Sequence, residues 1–473
     1  MNARYITTTL PYVNADPHLG HALEFVEADC YARAARLAGD DVFFNIGTDE
    51  HGAKIAEKAE EARESPQAYA DRYADRFKAF ADALDISHDS FIRTTDARHV
   101  AAAQEFWKRC AAAGDIYKAT YQIKYCVGCE LEKTDSELES GRCPLHPNQD
   151  IETREEENYY FRFSKYQDAL LAHYAADPAF VLPAGRLHEI TRFVAGGLKD
   201  FSISRRREKL SWGVPVPGDE EHVMYVWFDA LVNYVSAIGW PTDATHFAKW
   251  WPVIQFAGKD NLRQQAAMWQ AMLLSANIPA SKQIFIHGFI TSGGQKMSKS
   301  LGNVVNPLDL VEEYGADAVR YVLLRHVSPF EDSDLTREAI REHYTAHLTN
   351  GLGNLVARVM KLAETHLIEP VAQPESMPFS QEYRATIDAF RFNEAMDMIW
   401  AKVGALDERI TSEKPFAVVK EDEKKGRVMI AELATELYQI GQLLAPFMPT
   451  TSDTIKAAVF KNKKPENLFP RLP

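Results

Sequence analysis

The pattern of apolar and polar positions divides the chain into two regimes. In the first, short β-rich apolar runs alternate with longer helical patterns. Strands are expected from Arg4 to Thr9 and from Asp41 to Ile46. A helical pattern follows His18, runs to Arg36 and stops at Gly39, and Ala-rich helical faces cover about Ala53–Leu84 and Ala97–Ala113. Strand signals return at Met224–Asp229, Val253–Asp260 and Ile284–Gly288, with a helix expected at Asp317–Arg325. Such alternation predicts an α/β fold with a doubly wound, Rossmann-type parallel sheet. In the second regime, from about Glu338 to Val459, nearly every segment is an amphipathic helix. It is interrupted at Pro370–Pro378 and Lys414–Pro415 and predicts an all-α helix bundle.

Between about Ile116 and Val223 β and turn signals dominate, and this stretch reads as an insertion that splits the sheet domain. The expected division is 1–114 and 224–291 for the two halves of the sheet domain, 115–223 for the insertion, 292–337 for a linker and 338–473 for the helical domain.

Composition narrows the function classes. A chain of 473 residues holds more than one ordinary core. A net charge of −14 argues against a protein that coats nucleic acid indiscriminately. Residues 351–473 carry 16 Lys and Arg against 17 Asp and Glu, so all but one unit of that charge falls on residues 1–350. The helical part is therefore the more tolerant of a phosphate backbone. No apolar run reaches bilayer length and the N-terminus lacks a signal-peptide core, so a cytoplasmic protein with no membrane contact is expected. The chain stops soon after the bundle, leaving no room for an appended dimerisation domain, and a monomer is expected.

Three of the five cysteines lie in the series Cys126-x2-Cys129-x13-Cys143-x2-His146. In a reducing compartment, two short ligand pairs joined by a longer span are the spacing of a Cys3His zinc knuckle. Four protein ligands close the site, so its expected role is structural.

Two further stretches carry chemistry. Pro17-His18-Leu19-Gly20-His21 falls at a strand-to-helix transition, where free N–H groups and the helix dipole favour an anion. Ile290 to Asn303 sets Lys296 and Lys299 in a Gly- and Ser-rich run, expected to be a mobile loop that brings ammonium groups onto a polyphosphate. Donors at the first helix and a cationic loop at the far edge of the sheet can grip a triphosphate from both sides. Gly47-Thr48-Asp49-Glu50-His51-Gly52 ends the second expected strand, where open α/β sheets bind ligands. Asp49 and Asp260 suit anchors for an ammonium group and a ribose diol, and equally suit strand-end caps. Trp227, Tyr234 and His287 fit an apolar pocket or a plain core.

The paired signatures resemble those of class I aminoacyl-tRNA synthetases. Within that class the chain resembles the methionyl-tRNA synthetases. The resemblance is carried by Thr8-Thr9-Leu10-Pro11-Tyr12-Val13-Asn14, Gly47 to Gly52, Trp212 to Asp219, Tyr225 to Leu231, Gly258-Lys259-Asp260 and Lys296-Met297-Ser298-Lys299-Ser300. It spans essentially the whole chain. It implies activation of L-methionine by ATP, with its Mg2+, then transfer to the 3′ end of tRNA(Met). By position, Leu10, Tyr12, Asp49, Trp227, Tyr234 and His287 match the methionine pocket. His18, Gly20, His21, Gly258, Asp260, Lys296, Ser298 and Lys299 match the ATP site, with His18, His21, Lys296 and Lys299 as the catalytic set. Asn354 and Arg358, one helical turn apart, and Phe416 resemble the anticodon-reading residues. The knuckle resembles the family's single-zinc form.

Two positions depart from that family. Phe416 stands where Trp is common, and Gln264 and Gln265 stand where an aromatic and a His are common. The rival readings are another class I activity, of cysteine or leucine type, and a non-catalytic RNA-binding relative. The first lacks the expected editing insertion or pocket zinc, and the second is opposed by two intact signatures.

Overall fold

The computed structural model describes residues 2–129, 131–133, 137–296, 305–372 and 379–472. At its centre lies a six-stranded sheet in the order Ser90–Arg93, Asp41–Thr48, Ala3–Thr8, Val253–Gly258, Gln283–His287 and Val181–Leu182. Every pairing in it is parallel. From Ala3–Thr8 the chain moves outward to one side, and from Val253–Gly258 to the other. The crevice for ligands therefore opens at the carboxyl ends of these two adjacent strands.

The first helix, Leu19–Leu37, packs Leu23, Phe25, Val26 and Tyr31 into an apolar core that also contains Ile6, Phe44 and Phe256. The helical stretch expected over about Ala53–Leu84 consists of two helices, Ala53–Ala62 and Pro66–Ala83. Arg63 turns the chain in the left-handed region (φ 58°), and Ser65 caps the second helix by accepting from the Ala68 N–H at 3.2 Å.

Two expectations fail locally. Met224 ends a strand, but Val226–Leu231 is a helix rather than a strand of the central sheet. Phe228 on that helix packs edge-on against Phe106 and Trp107, with ring centroids 5.9 and 5.3 Å away. A run buried on all sides shows no helical period in its sequence. The stretch 115–223 is also less separate than expected. Ile116–Cys126 and Glu152–Phe161 form a long antiparallel ladder outside the central sheet, yet Val181–Leu182 returns to become its edge strand.

Helices from Arg337 to Lys461 form the second body, including a π-helical segment, Tyr344–Gly353, that leads into Asn354–His366. Arg320, on the helix Ala316–His326, joins it to the sheet domain. Its guanidinium is fully buried, pairs with Asp29 at 2.6 Å, and donates to the carbonyls of Leu84, Pro446 and Phe447 at 3.2, 3.0 and 2.8 Å. A buried guanidinium is tolerated because its donors are satisfied in this way. No helix among the described residues is long and apolar enough to cross a membrane.

Candidate functional site

A cavity of about 340 Å³ opens at the carboxyl ends of Ala3–Thr8 and Val253–Gly258. Its walls include Leu10, Tyr12, His18, Gly20, His21, Asp49, Trp227, Tyr234, Gly258, Asp260 and His287. These are all the residues expected in the methionine and ATP sites that precede the lysine run, drawn from six separate stretches of sequence. Thr9, Glu24, Lys54, Cys129 and Asn233 also line it without having been expected there, as does Gln265, one of the two positions that depart from the family pattern.

His18 caps the first helix. Its Nδ1 accepts from the Gly20 and His21 N–H groups at 3.1 and 3.3 Å, and His21 Nδ1 accepts from the His18 N–H at 3.3 Å. An accepting Nδ1 places the proton of a neutral imidazole on Nε2. The two rings stack with centroids 3.7 Å apart. Burial, and then the neighbouring His18 and His287, hold the His21 pKa well below its ordinary value. Both side chains are thus set up as neutral N–H donors at a helix N-terminus, suited to phosphate oxygens.

Glu24 lies one turn further along. Its Oε1 accepts from the Thr9 N–H and hydroxyl, both at 2.6 Å, and its Oε2 accepts from His287 Nε2 at 3.2 Å. Burial alone would lower the His287 pKa, but Glu24 and Glu27 raise it to about 9. Burial pushes the Glu27 carboxyl up to about 8. At neutral pH His287 is therefore an imidazolium on the cavity wall, with both nitrogens already engaged.

Asp49 is held by its backbone, which pairs with Pro11 and Val13 and forms a bridge to Tyr12. Its neighbours are fixed by side chains that the sequence pattern left unassigned. Glu50 is fully buried and receives Arg93 at 2.7 and 2.9 Å. His51 Nδ1 lies 2.6 Å from Asp229, whose other oxygen is 2.8 Å from His99 Nε2. Burial would raise the Asp229 pKa, yet His51 and His99 bring it down to about 2. Opposite, Tyr234 is 1% exposed, and Gln265 accepts from Gln255 Nε2 at 2.8 Å. Gln265 thus faces the pocket, while Gln264 is buried without lining it.

The lysine run begins as a hairpin rather than a loop. Ile290–Ser292 pairs antiparallel with Gln295–Lys296, turning at Gly293 and Gly294, both with positive φ (65° and 71°) as a two-residue turn of this kind requires. Gly294 N–H donates to Asp334 at 2.8 Å. Lys296 is described in its backbone; its side chain, Ser298 and Lys299 lie outside the described residues.

Cys126, Cys129, Cys143 and His146 converge, with one donor atom from each within 4.8 Å of the others. Cys129 and Cys143 sulfurs are 3.3 Å apart, and His146 Nδ1 lies 3.8, 3.2 and 3.9 Å from the three sulfurs. Tetrahedral zinc with Zn–S of about 2.3 Å needs sulfurs roughly 3.8 Å apart, so these four residues form a possible zinc site. A side chain at Gly128 would meet the His146 ring at 2.3 Å, which makes glycine necessary there. Lys54 donates to the Gly128 carbonyl at 2.9 Å, fastening the knuckle beside the cavity.

In the helical body Asn354 is exposed at the start of its helix, and Arg358 forms an ion pair with Asp407. Phe416 is 45% exposed in the first turn of Pro415–Glu421, just past the end of the helix that carries Asp407.

The family model described as tRNA synthetases class I (M) matches residues 4–151 and 134–360. The methionine–tRNA ligase of Thermotoga maritima is 39% identical over 98% of this chain and 76% of its own length. That of Thermosynechococcus vestitus is 42% identical, over 95% and 88%. Among solved structures, Mycobacterium tuberculosis methionyl-tRNA synthetase in complex with methionyl-adenylate superposes with a TM-score of 0.90 at 39% identity, covering 96% of this chain and 93% of that one. With the family model running from the first strand into the helices, and relatives of this identity matching nearly the whole chain, the chain belongs to the methionine–tRNA ligases of class I.

Proposed function

We propose that this enzyme activates L-methionine with ATP, forming methionyl-adenylate and pyrophosphate, and transfers the methionyl group to the 3′ end of tRNA(Met). The observation that carries this reading is the convergence of the eleven expected residues on one cavity at the sheet's switch point. Leu10, Tyr12, Trp227, Tyr234 and His287 form the methionine side of that cavity. An aromatic-walled apolar pocket suits a thioether, which is polarizable and favours ring contacts. Asp49 anchors the substrate's ammonium group from a backbone pinned on either side.

Gly20, Gly258 and Asp260 take the adenosine portion, while His18 and His21 donate to phosphate oxygens. The attacking methionine carboxylate is already ionised, so it needs no general base. Negative charge grows on the α-phosphate oxygens as the bond to pyrophosphate breaks. Neutral Nε2–H donors, already oriented by the helix cap, stabilise that charge without reorganising. Lys296, Ser298 and Lys299 are assigned to the same phosphates. Mg2+ arrives with ATP.

Cys126, Cys129, Cys143 and His146 would hold zinc, whose closed site supplies structure rather than chemistry. Asn354, Arg358 and Phe416 read the anticodon, with Phe416 offering a stacking face. The proposed division is a catalytic domain in two parts (1–114 and 224–291), the knuckle-bearing insertion 115–223, which also lends Val181–Leu182 to the edge of the central sheet, a linker 292–337 and the anticodon domain 338–473. A monomer is the proposed working unit. The cysteines are unpaired, in keeping with a cytoplasmic enzyme.

The test is methionine charging of tRNA transcripts that carry a CAU anticodon or an altered one. Charging confined to CAU supports the proposal; equal charging, or none by folded protein, contradicts it.

A further inference from the structure

His326, His343 and His347 meet where the linker helix Ala316–His326 touches the helix Arg337–His343 and the π-helical segment after it. One ring nitrogen from each lies within 4.8 Å of the other two, and all three residues are half-buried. From this geometry we propose a second metal site, one that takes a late first-row transition cation such as Ni2+, Cu2+ or Zn2+ on three imidazoles. It is independent of the cysteine knuckle and of the active-site cavity.

Three observations carry it. His343 and His347 are one turn apart on a continuous helical path, so their rings project from one face as a chelating pair. His326 reaches them from a different element, with its ring 3.6 Å from that of His343 and 5.2 Å from that of His347. Finally, one hydroxyl lies within hydrogen-bond distance of two of the rings. Tyr321 Oη lies 2.8 Å from His347 Nδ1 and 3.0 Å from His326 Nε2. Because that oxygen also accepts from Arg325 at 2.7 Å, it can accept from one imidazole at a time, and the ring that donates to it keeps its other nitrogen, His347 Nε2 or His326 Nδ1, for an ion. A hydrogen bond on the remote nitrogen is how proteins set the tautomer and direction of a metal-binding imidazole.

The donor set decides the class of cation. Neutral imidazoles suit the late transition metals and are poor ligands for Mg2+ or Ca2+. Arg325 is the nearby positive charge, donating to Tyr321 Oη at 2.7 Å, but its Nε also meets Asp397 at 2.9 Å, so its charge is locally matched. Binding requires a local rearrangement. The His326 and His343 rings lie parallel within 3°, and two such stacked rings cannot both aim a lone pair at one ion. A side-chain rotation must part the stack, and the bound ion would then staple the linker helix to the segment leading into Asn354.

The experiment uses full-length protein with its cysteine knuckle already zinc-loaded. Ni2+ is titrated calorimetrically, and Cu2+ is followed by electron paramagnetic resonance. The expected result is one further saturable equivalent with Kd on the order of 10 µM or tighter, nitrogen hyperfine structure on the copper signal, and a higher Tm with Ni2+. His326→Gln and His347→Gln should each weaken binding ~100-fold, while Cys126→Ser removes the zinc and leaves the nickel equivalent. Circular dichroism and metal-free Tm establish that each variant is folded, and either histidine variant suffices. Absence of the further equivalent, or its persistence at unchanged affinity in a folded histidine variant, overturns the proposal.

Discussion

His287 donates from Nε2 to Glu24 at 3.2 Å and from Nδ1 to the Gly288 carbonyl at 2.8 Å, so the buried ring works as a fully protonated clamp between the sheet and the first helix. The folded-state pKa of about 9 lies above the ordinary 6.5. Its stabilisation is complete below pH 6.5 and is lost as pH rises through 9. Glu27, raised from 4.5 to about 8, also binds its proton more tightly in the folded state and acts with the same sign. The His287 shift alone corresponds to about 3 kcal/mol, and the two groups titrate as one unit rather than adding. Thermal unfolding should therefore show a falling Tm between pH 6.5 and 9, and a flatter profile in His287→Gln. Identical profiles in the two proteins would remove the clamp from the account.

The knuckle should hold one zinc per chain. Cys126→Ser, or removal of zinc by a chelator, should lower Tm by several degrees, since metal binding at such sites is folding free energy. Methionine activation should fall as well, because Cys129 lines the cavity and Lys54 ties the knuckle to it. Elemental analysis with calorimetry checks this; a zinc-free protein of unchanged Tm and activity refutes it.

Lys296→Ala should reduce the rate of adenylate formation by about two to four orders of magnitude, with little change in methionine affinity. A cation that acts on transition-state charge supports kcat rather than ground-state binding. Single-turnover kinetics separate the two, and an unchanged rate would sink the assignment.

Phe416→Ala should raise KM for tRNA(Met) by roughly 10-fold, the cost of one lost base stack at about 1–3 kcal/mol. Methionine activation without tRNA should not change, because Phe416 is on the helical body rather than the cavity wall. If KM is unaffected, Phe416 is a solvated surface residue.

The residues proposed to meet ligands were the legible part of this sequence, and those that hold them in place were not. Asp49 and Asp260 sit at strand ends, where a short polar cluster after an apolar run is visible in the pattern, and His18 sits at the start of the first helical pattern. Glu24 occupies a position inside an amphipathic helix where any carboxylate looks like a solvated one. Only folding brings it onto His287, far away in sequence. The His51–Asp229–His99 chain is hidden for the same reason, since its members come from three separate elements. Val226–Leu231 reads as a strand because every residue of it except Trp227 is buried, which erases the helical period. Val181–Leu182 escaped notice because two residues carry no period at all. The hairpin before Lys296 was readable from Gly293-Gly294 as a tight turn, but the surrounding Ser and Lys residues argued for a loop.

The most direct test of the central claim is amino-acid-dependent exchange of pyrophosphate into ATP, run without tRNA against all twenty amino acids. The account predicts rapid exchange with methionine, far above any other amino acid, and its loss in Lys296→Ala. Exchange driven best by a different amino acid, or none at all from folded, zinc-replete enzyme, would contradict it.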